Sequence, residues 1–460
     1  MGLSLLTTHR RIAPGPPGYP LIGNLIEFRR DVLQLGVDAA RAYGDVVRFR
    51  LGPHVIHLIN HPTHVEHVLV HNQTNYDRAT RSAAQIALVC GQSLLTTSGA
   101  VWLRERRLVQ PAFQQRRADA FVSVMTSATG AMLDRWLSHA RDGRPLDIAS
   151  ELGRLTYTIV GKALFGADVS RDADTVERAL GTLLDHTYAR LERLVNLPLW
   201  VPSPRNRRFR DARRAIDRVV YRIINERRDG HEDHADLLAH LLRAVDDGAS
   251  GAMTNEQLRN ETITLLLSGH ETTANALSWT LFLLATHPEI ERRFRSELSA
   301  VLGDAREPSL EDISRLEYTG MVINEALRLY PPIWILERRA IEDDLIGGYH
   351  IPGGSTVVVS PFILHRHEAF WPDPGSFEPE RFAAAQIAGR PAHAFLPFGA
   401  GPHHCIGAHF AMLEARLVLV MLAQRYRLEL VPHHPVEPKA GITLRLRYGL
   451  RMRPREHRGG

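Results

Sequence analysis

Cys405 is one of two cysteines in this chain of 460 residues, and it lies in the segment Phe398-Gly-Ala-Gly-Pro-His-His-Cys405-Ile-Gly407. A long apolar pattern typical of a helix follows directly. At a helix start, unpaired backbone N–H groups and the positive end of the helix dipole favour a thiolate over a thiol. The segment therefore predicts one activated sulfur, which suits the metal of a large cofactor better than a disulfide.

A second segment has residue types for acid–base chemistry: Ser268-Gly-His-Glu-Thr-Thr273, inside an apolar run. Thr254-Asn-Glu-Gln257 is a capping box that predicts the helix start, and His287-Pro288 predicts its end. An interior glycine costs about 1 kcal/mol relative to alanine, and a carboxylate among apolar neighbours is also costly. Two interpretations stay open. Either Glu271 faces solvent and Gly269 permits close helix packing, or both residues serve a site.

Three further patterns are weak when each is taken alone. Glu325-Ala-Leu-Arg328 places an acid and a base on one helix face, as in most surface ion pairs. Trp102-Leu-Arg-Glu-Arg106 lets an indole and a guanidinium point the same way, although a core tryptophan beside an exposed arginine is the better explanation of this pattern alone. Pro379-Glu-Arg-Phe382 lies shortly before the cysteine loop.

The composition limits the class of protein. A hydrophobic content of 44% and a charged content of 23% are typical of a globular protein. Two cysteines exclude a disulfide framework and favour a reducing, cytoplasmic environment. The opening Met1-Gly-Leu-Ser-Leu-Leu6 is far shorter than the ~18 apolar residues of a membrane span, so we expect no transmembrane anchor.

The net charge is only +5, and all but two of the basic residues are arginine. We therefore expect no nucleic-acid partner. The densest basic run, Arg205 to Arg214, is best explained as a solvated helix face or loop, with contact to a membrane or an acidic partner as the alternative.

The organisation of the chain predicts one helix-rich domain. Residues 45–60 alternate around Gly52-Pro53 and predict a β-hairpin, residues 100–330 are mostly helical, and strand-like runs return at 345–359 and 426–449. We predict an α+β fold, mainly helical with a smaller β-rich lobe. A single domain would cover residues 1–460, with a proline-rich N-terminal segment at 1–20.

As an ordered set, these motifs resemble those of the cytochrome P450 family, over nearly the entire chain. The family's haem-binding signature, FxxGx(R/H)xCxG, is matched at Phe398, Gly401, His403, Cys405 and Gly407. Residues 268–273 resemble its oxygen-activating motif (A/G)GxxT, with Ser268 in place of the commoner Ala or Gly. The resemblance implies haem b, with its iron ligated by the Cys405 thiolate.

The resemblance also implies roles for residues outside these two motifs. Haem propionates would be bound by Trp102, Arg106, Arg338 (with Arg339 a near alternative) and His403. His403 stands where the family usually has arginine. Arg381 would complete a buried network with Glu325 and Arg328, which supports the cysteine loop and has no catalytic role.

By the same resemblance, Glu271 and Thr272 would deliver protons during O₂ activation, and Gly269 would let the helix bend beside the haem. The substrate pocket would include Leu265, Ser268, Gly269, Ile333, Trp334, Ile335 and Ile442. Because most of these side chains are apolar, we expect a hydrophobic substrate, either terpenoid or fatty-acid-like.

The implied enzyme is a haem-thiolate monooxygenase of secondary metabolism that hydroxylates a lipophilic small molecule. It would use O₂ and two electrons from separate partners, a ferredoxin with its reductase or a flavodoxin. One alternative is a non-catalytic haem sensor or electron carrier, which would not need the Glu271–Thr272 pair. Another is a zinc site at Cys405, His403 and His404, but adjacent ligands strain a tetrahedral site and no fourth ligand is evident.

Overall fold

The computed structural model describes residues 11–113, 118–229, 236–246, 253–303 and 306–457. Helices dominate, and the predicted mainly helical α+β class with a smaller β-rich part is confirmed. In chain order the α-helices are α1 (Leu25–Tyr43), α2 (Pro62–Glu66), α3 (Arg81–Cys90), α4 (Gly99–Val109), α5 (Ala118–Asp142), α6 (Ile148–Phe165), α7 (Ala173–Leu191), α8 (Pro204–Asp229), α9 (Leu237–Asp246), α10 (Asn255–Thr286), α11 (Pro288–Leu302), α12 (Leu310–Arg315), α13 (Glu317–Leu329), α14 (Pro361–Leu364), α15 (Ala384–Ala388) and α16 (Ala408–Arg425).

The strands are short, and each sheet is small. In chain order they are β1 (Val46–Leu51), β2 (His54–Ile59), β3 (Tyr76–Asp77), β4 (Leu146–Asp147), β5 (Leu336–Ala340), β6 (Asp344–Ile346), β7 (Tyr349–Ile351), β8 (Thr356–Val359), β9 (Tyr426–Leu430), β10 (Pro438–Lys439), β11 (Arg445–Leu446) and β12 (Arg451–Glu456). Within the described ranges, every helix is too short or too polar to span a bilayer.

The described chain divides into two compact units. The smaller unit contains the described residues up to Ser82, together with Ile335–Pro374 and Pro391–His404. The larger unit contains Ala83–Trp334, Gly375–Arg390 and the described residues from Cys405 onward.

A five-stranded sheet, in the order β1-β2-β8-β5-β3, forms the centre of the smaller unit. β1 and β2 pair antiparallel from Val46↔Ile59 to Leu51↔His54, so the hairpin predicted at residues 45–60 is confirmed. β8 joins β2 in parallel. Apolar side chains such as Val357 and Val359 alternate along β8 and are buried in the core of this unit.

The centre of the larger unit is α10, which is buried along most of its length. The predicted capping box is present, since Thr254 Oγ1 accepts from the Gln257 N–H at 3.1 Å and Gln257 Oε1 accepts from the Thr254 N–H at 2.9 Å. His287 follows the last helical residue, as predicted. The capping box satisfies two of the backbone N–H groups that every helix start leaves unpaired.

Gly269 marks the place where α10 and α6 pack closely. A Cβ atom at Gly269 would lie 2.8 Å from Val160 Cγ2, so only glycine allows this approach. α10 is helical without a break at this point. The close packing that the sequence allowed at Gly269 is therefore present, while the bending role that the resemblance implies stays a prediction.

Residues 91–97, between α3 and α4, are held against α10 by polar side chains. Asn260 Nδ2 donates to the Gln92 carbonyl at 3.2 Å, and the Leu94 N–H donates to Glu261 Oε1 at 2.8 Å. Backbone groups of an irregular segment thus find partners on a rigid helix.

Two buried carboxyl groups, on α4 and on α10, each accept a hydrogen bond from residues 91–97. Glu105 Oε2 on α4 accepts from Thr97 Oγ1 at 2.5 Å, while Glu261 accepts from Leu94. Each carboxyl keeps a second oxygen without a hydrogen-bond partner among the described residues. Burial raises the pKa of Glu261 to about 8, and the charge of Glu105 adds to the effect. Folding therefore favours a proton on Glu261.

Glu261→Gln keeps an oxygen acceptor for Leu94 but removes the titration. The folded protein retains a proton that the unfolded chain, with an ordinary carboxyl pKa of 4.5, releases earlier. Wild-type stability should consequently fall as pH rises from about 5 to about 8, by up to about 1.4 kcal/mol per pH unit, and the variant should lack this part of the decline. Urea unfolding across that pH range measures the difference.

Glu256→Gln, at an exposed position of the same helix, is the matched control and should follow the wild-type curve. A Glu261→Gln protein whose stability falls with pH as steeply as the wild type would contradict the assignment.

Candidate active site

Cys405 directly precedes the turn into α16, and its side chain is accessible to solvent. The Gly407 N–H and the Arg106 guanidinium both lower the pKa of the Cys405 thiol, as a helix start predicts. Enough protein surrounds the accessible sulfur, however, for desolvation to prevail and raise the pKa above its usual value. Desolvation thus opposes the two favourable contacts that surround the sulfur.

α4 places a tryptophan and an arginine together on the side of Cys405. Arg106 Cζ lies 5.5 Å from the centroid of the Trp102 ring, while Trp102 itself is buried. The charge of Arg106 acts on Cys405. The structure therefore brings Trp102, Arg106 and Cys405 into one neighbourhood of the larger unit, although the i,i+4 spacing alone had favoured a core tryptophan beside an exposed arginine.

In the smaller unit, the predicted loop residues Phe398, Gly401 and His403 lie just before Cys405 in the chain. Gly401 has a φ of +67°, and a Cβ there would lie 1.9 Å from the Leu69 carbonyl oxygen. Both constraints require glycine. This explains in physical terms why the first glycine of the signature, Gly401, has no substitute in this fold.

Arg338, on β5, is a buried cation in the smaller unit. Its Nη1 donates to the Glu337 carbonyl at 2.8 Å, and within the described ranges no carboxylate pairs with it. Burial lowers its pKa to about 10. The near alternative, Arg339, forms an ion pair with Asp77. Because a buried guanidinium needs an anion, Arg338 fits a cofactor carboxylate and Arg339 does not.

A buried ion network lies on α13. Arg328 and Glu325 are fully buried, and Arg328 donates through Nε and Nη2 to the two carboxylate oxygens of Glu325, each at 2.7 Å. Arg381 Nε lies 3.4 Å from Glu325 Oε1. Arg328 Nη2 also donates to the Ser376 carbonyl at 2.8 Å, and the Glu378 N–H donates to Glu325 at 2.9 Å. The network thus fastens residues 376–381 to α13.

The Glu271 carboxyl does not face solvent, so the solvent-facing position that the sequence left open for this residue is excluded. Its Oε1 accepts from Thr443 Oγ1 at 2.7 Å, and its Oε2 is buried without a hydrogen-bond partner among the described residues. Burial raises the pKa of Glu271, while Thr443 and Arg445 oppose the rise. Thr272 Oγ1, next along the helix, donates to the Ser268 carbonyl at 2.6 Å.

Thr443 is a contact of the site that sequence reasoning missed. It lies between β10 and β11, a hairpin anchored at both ends. Trp334 Nε1 donates to the Gly441 carbonyl at 2.9 Å, and the Leu444 N–H donates to the Pro332 carbonyl at 2.8 Å. Threonine in a short loop is common, so no local signal could have identified the partner of Glu271.

The predicted pocket residues fall into both units. In the larger unit, Leu265 and Trp334 are buried, Ile333, Gly269 and Ile442 are half-buried, and Ser268 is exposed. The hydrogen bonds around Gly441 and Thr443 bring Trp334 and the Ile442 hairpin to the Glu271 side of α10. Ile335 belongs to the smaller unit.

A cavity of about 530 Å³ lies between α5, α6 and α7. It is lined by charged groups such as Arg135 and Lys162, and it includes none of the predicted site residues. Over the residues that the structure describes, no group of three or more His, Cys, Asp or Glu side chains is arranged to hold a metal ion. The zinc alternative therefore gains no support.

Comparison with known proteins agrees with the class of enzyme that these residues indicate. The family model described as cytochrome P450 matches residues 13–449. The chain belongs to the cytochrome P450 family, and it is a monooxygenase.

Curated relatives match over nearly full length. A cyclooctatin synthase of Streptomyces melanosporofaciens is 35% identical over 95% of this chain and 94% of its own length. A cyclooctat-9-en-7-ol 5-monooxygenase of the same organism is 34% identical over 91% of this chain and 89% of its own length. A pentalenene oxygenase of Streptomyces avermitilis is 31% identical over 97% of this chain and 98% of its own length.

Arg328→Met should strongly destabilise the protein. The substitution removes the bidentate partner of the fully buried Glu325, and an uncompensated buried charge of this kind costs about 3–5 kcal/mol of unfolding free energy. Urea unfolding measures the loss.

Arg292→Met is the matched control, because Arg292 and Glu289 form an exposed pair with the same i,i+3 spacing. This control should be close to wild type, since exposed pairs contribute little. Equal effects of the two substitutions would show that the α13 pair is no more important than a surface pair.

Proposed function

We propose that this monooxygenase hydroxylates a lipophilic small molecule, of terpenoid or fatty-acid-like chemistry, with haem b ligated by Cys405. The observation that carries the proposal is the accessible Cys405 thiol, on which the Gly407 N–H and the Arg106 guanidinium both act. A sulfur in that setting is a ligand for a soft metal, and the two contacts stabilise the thiolate once a metal offsets the desolvation.

The remaining donor set fits the acidic groups of haem. Arg338 is a buried guanidinium without a carboxylate among the described residues, as a propionate partner requires. Trp102, Arg106 and His403 are the further proposed donors to propionates. When bound, haem with a thiolate ligand supplies O₂ activation and oxidation of unactivated carbon.

Glu271 and Thr272 are the proposed proton-delivering pair. The raised pKa of Glu271 lets its carboxyl hold a proton at Oε2 closer to neutral pH than an exposed glutamate could. Thr443 fixes the other carboxylate oxygen, Oε1, and so keeps Oε2 directed away from the hairpin. The Thr272 hydroxyl donates its hydrogen to the Ser268 carbonyl, so its oxygen lone pairs remain available to accept a hydrogen bond.

The substrate proposal rests on apolar residues and on relatives. Leu265, Ile333, Trp334 and Ile442 offer an apolar lining, which favours a hydrophobic molecule. The names of two relatives specify cyclooctat-9-en-7-ol and pentalenene, both terpenoids. We therefore favour a terpenoid over a fatty acid.

Electrons are proposed to come from a separate ferredoxin with its reductase, or from a flavodoxin, in the cytoplasm. Residues 1–460 are proposed to act as one catalytic domain.

Cys405→Ser should abolish the thiolate-type absorption band of the reduced CO complex. A serine oxygen cannot replace the sulfur as a strongly electron-donating ligand. Cys90→Ala is the matched control, because Cys90 is the other cysteine and is fully buried away from this loop. The control should keep the band, and a Cys405→Ser protein with an unchanged band would refute the ligand assignment.

Glu271→Gln should lower product formation by roughly 10²-fold with pentalenene or cyclooctat-9-en-7-ol as probe, because a proton-delivering carboxyl is lost. Reducing equivalents should instead appear as hydrogen peroxide. Thr443→Val should shift the same ratio of peroxide to product in the same direction, and Thr443→Ser, which keeps the hydroxyl, should restore it. The proton-delivery role fails if Glu271→Gln and Thr443→Val both couple electrons to product as wild type does.

A further inference from the structure

The hairpin formed by β10 and β11 places two cations opposite one another. Lys439 and Arg445 are paired residues of its antiparallel register. Like charges at directly opposite positions of two strands repel each other, so an anion between them stabilises the hairpin. Asp185 on α7 supplies this anion, because its Oδ1 lies 3.2 Å from Lys439 Nζ and also pairs with Arg445 Nη2. One carboxylate therefore holds both strands.

The same hairpin carries the hydrogen-bond donor of Glu271. Thr443, two residues before Arg445, donates from Oγ1 to Glu271 Oε1 at 2.7 Å. Burial raises the pKa of Glu271, Thr443 and Arg445 oppose the rise, and the charge of Asp185 adds to it. Although Asp185 is exposed at the surface, the Asp185–Arg445 pair thus acts on a carboxyl that does not face solvent.

Other ionisable groups beside this part of α10 are uncharged at neutral pH. His270 faces α6, and burial lowers its pKa to about 4. Glu414 reaches α10 from α16, and burial raises its pKa well above its usual value. Among the residues that the structure describes, the charges that act on Glu271 are therefore those of Arg445 and Asp185.

We propose, on the basis of the proton-delivery role assigned above to Glu271, that Asp185 and Arg445 are positioning residues for this carboxyl. Arg445 favours the ionised form of Glu271, and Asp185 offsets that effect by neutralising the guanidinium. Both charges lie outside the hydrogen bond from Thr443, so a change in either alters the proton affinity of Glu271 while that contact remains. Because the two charges have opposite signs, their removal has opposite effects, which a purely structural tie would not produce.

Substitutions on the two sides of the pair test the assignment. D185N removes the charge that offsets Arg445, so Glu271 should lose its proton at a lower pH than in wild type. R445M removes the guanidinium and should shift the ionisation of Glu271 to a higher pH. Each shift should be about half a pH unit, as expected for one charge acting through a partly hydrated protein surface. R445K keeps the charge and should restore the wild-type value.

Infrared difference spectroscopy measures this ionisation without turnover. Subtracting the spectrum of the same protein with the added substitution E271Q isolates the carboxyl band of Glu271, which is then followed with pH. In turnover with pentalenene, the pH at which the ratio of peroxide to product rises should shift in the same directions. D174N is the matched control, because Asp174 is an exposed residue of α7 that pairs with Arg154 and does not act on Glu271. Far-UV circular dichroism verifies that each variant is folded.

Shifts of opposite sign in D185N and R445M, with none in D174N, support the proposal. An unchanged ionisation of Glu271 in both variants would overturn it, and so would shifts of the same sign, which indicate only a structural tie of the hairpin. Failure of the proposed function is distinct: E271Q would then couple electrons to product as wild type does, while the infrared shifts remain. That result would retain the electrostatic link but overturn the assignment of Asp185 and Arg445 to proton delivery.

Discussion

A carboxylate removed from water must find partners or keep a proton, and this constraint shapes the larger unit. Glu325 finds partners: two guanidinium contacts from Arg328, a second cation at Arg381, and a backbone N–H from Glu378. Residues 376–381 therefore cannot leave α13 without exposing a buried charge. An irregular segment acquires the rigidity of a helix through one side chain.

For the buried carboxyls along α10, burial instead favours a retained proton. Glu261 and Glu271 each receive one hydrogen bond, and burial raises the pKa of both. At Glu261 the retained proton stabilises a loop contact. At Glu271 the same physics leaves a proton donor where the proposed chemistry needs one. Similar environments on one helix thus hold a loop at Glu261 and, in the proposed function, supply a proton at Glu271, more than two turns away.

Local patterns in the sequence were sufficient for the elements whose contacts are local. The capping box at Thr254, the β1–β2 hairpin and the Glu325–Arg328 spacing all involve residues within a few positions of their partners, and each is found as expected. The cysteine loop and the order of its companion motifs also indicated the family. Such signals survive because periodicity and turn chemistry are short-range properties.

Contacts between distant residues had no such signal. Thr443 reaches Glu271 across 172 positions, and the close packing at Gly269 involves Val160 on another helix. At Cys405 the surrounding protein, which the sequence does not specify locally, desolvates the thiol and opposes the effect of the helix start. Whether Arg338 or Arg339 is the unpaired cation depended on Asp77, far away in the chain.

Asp185 links α7 to the hairpin that carries Thr443. It is bound by Lys439 at 3.2 Å and by Arg445, at the two ends of the β10–β11 hairpin. Along the helix axis Asp185 lies about 9 Å from Leu191, the last residue of α7. One carboxylate on α7 thus joins both strands of the hairpin, so the hydrogen-bond partner of Glu271 is held from α7 as well as from Trp334.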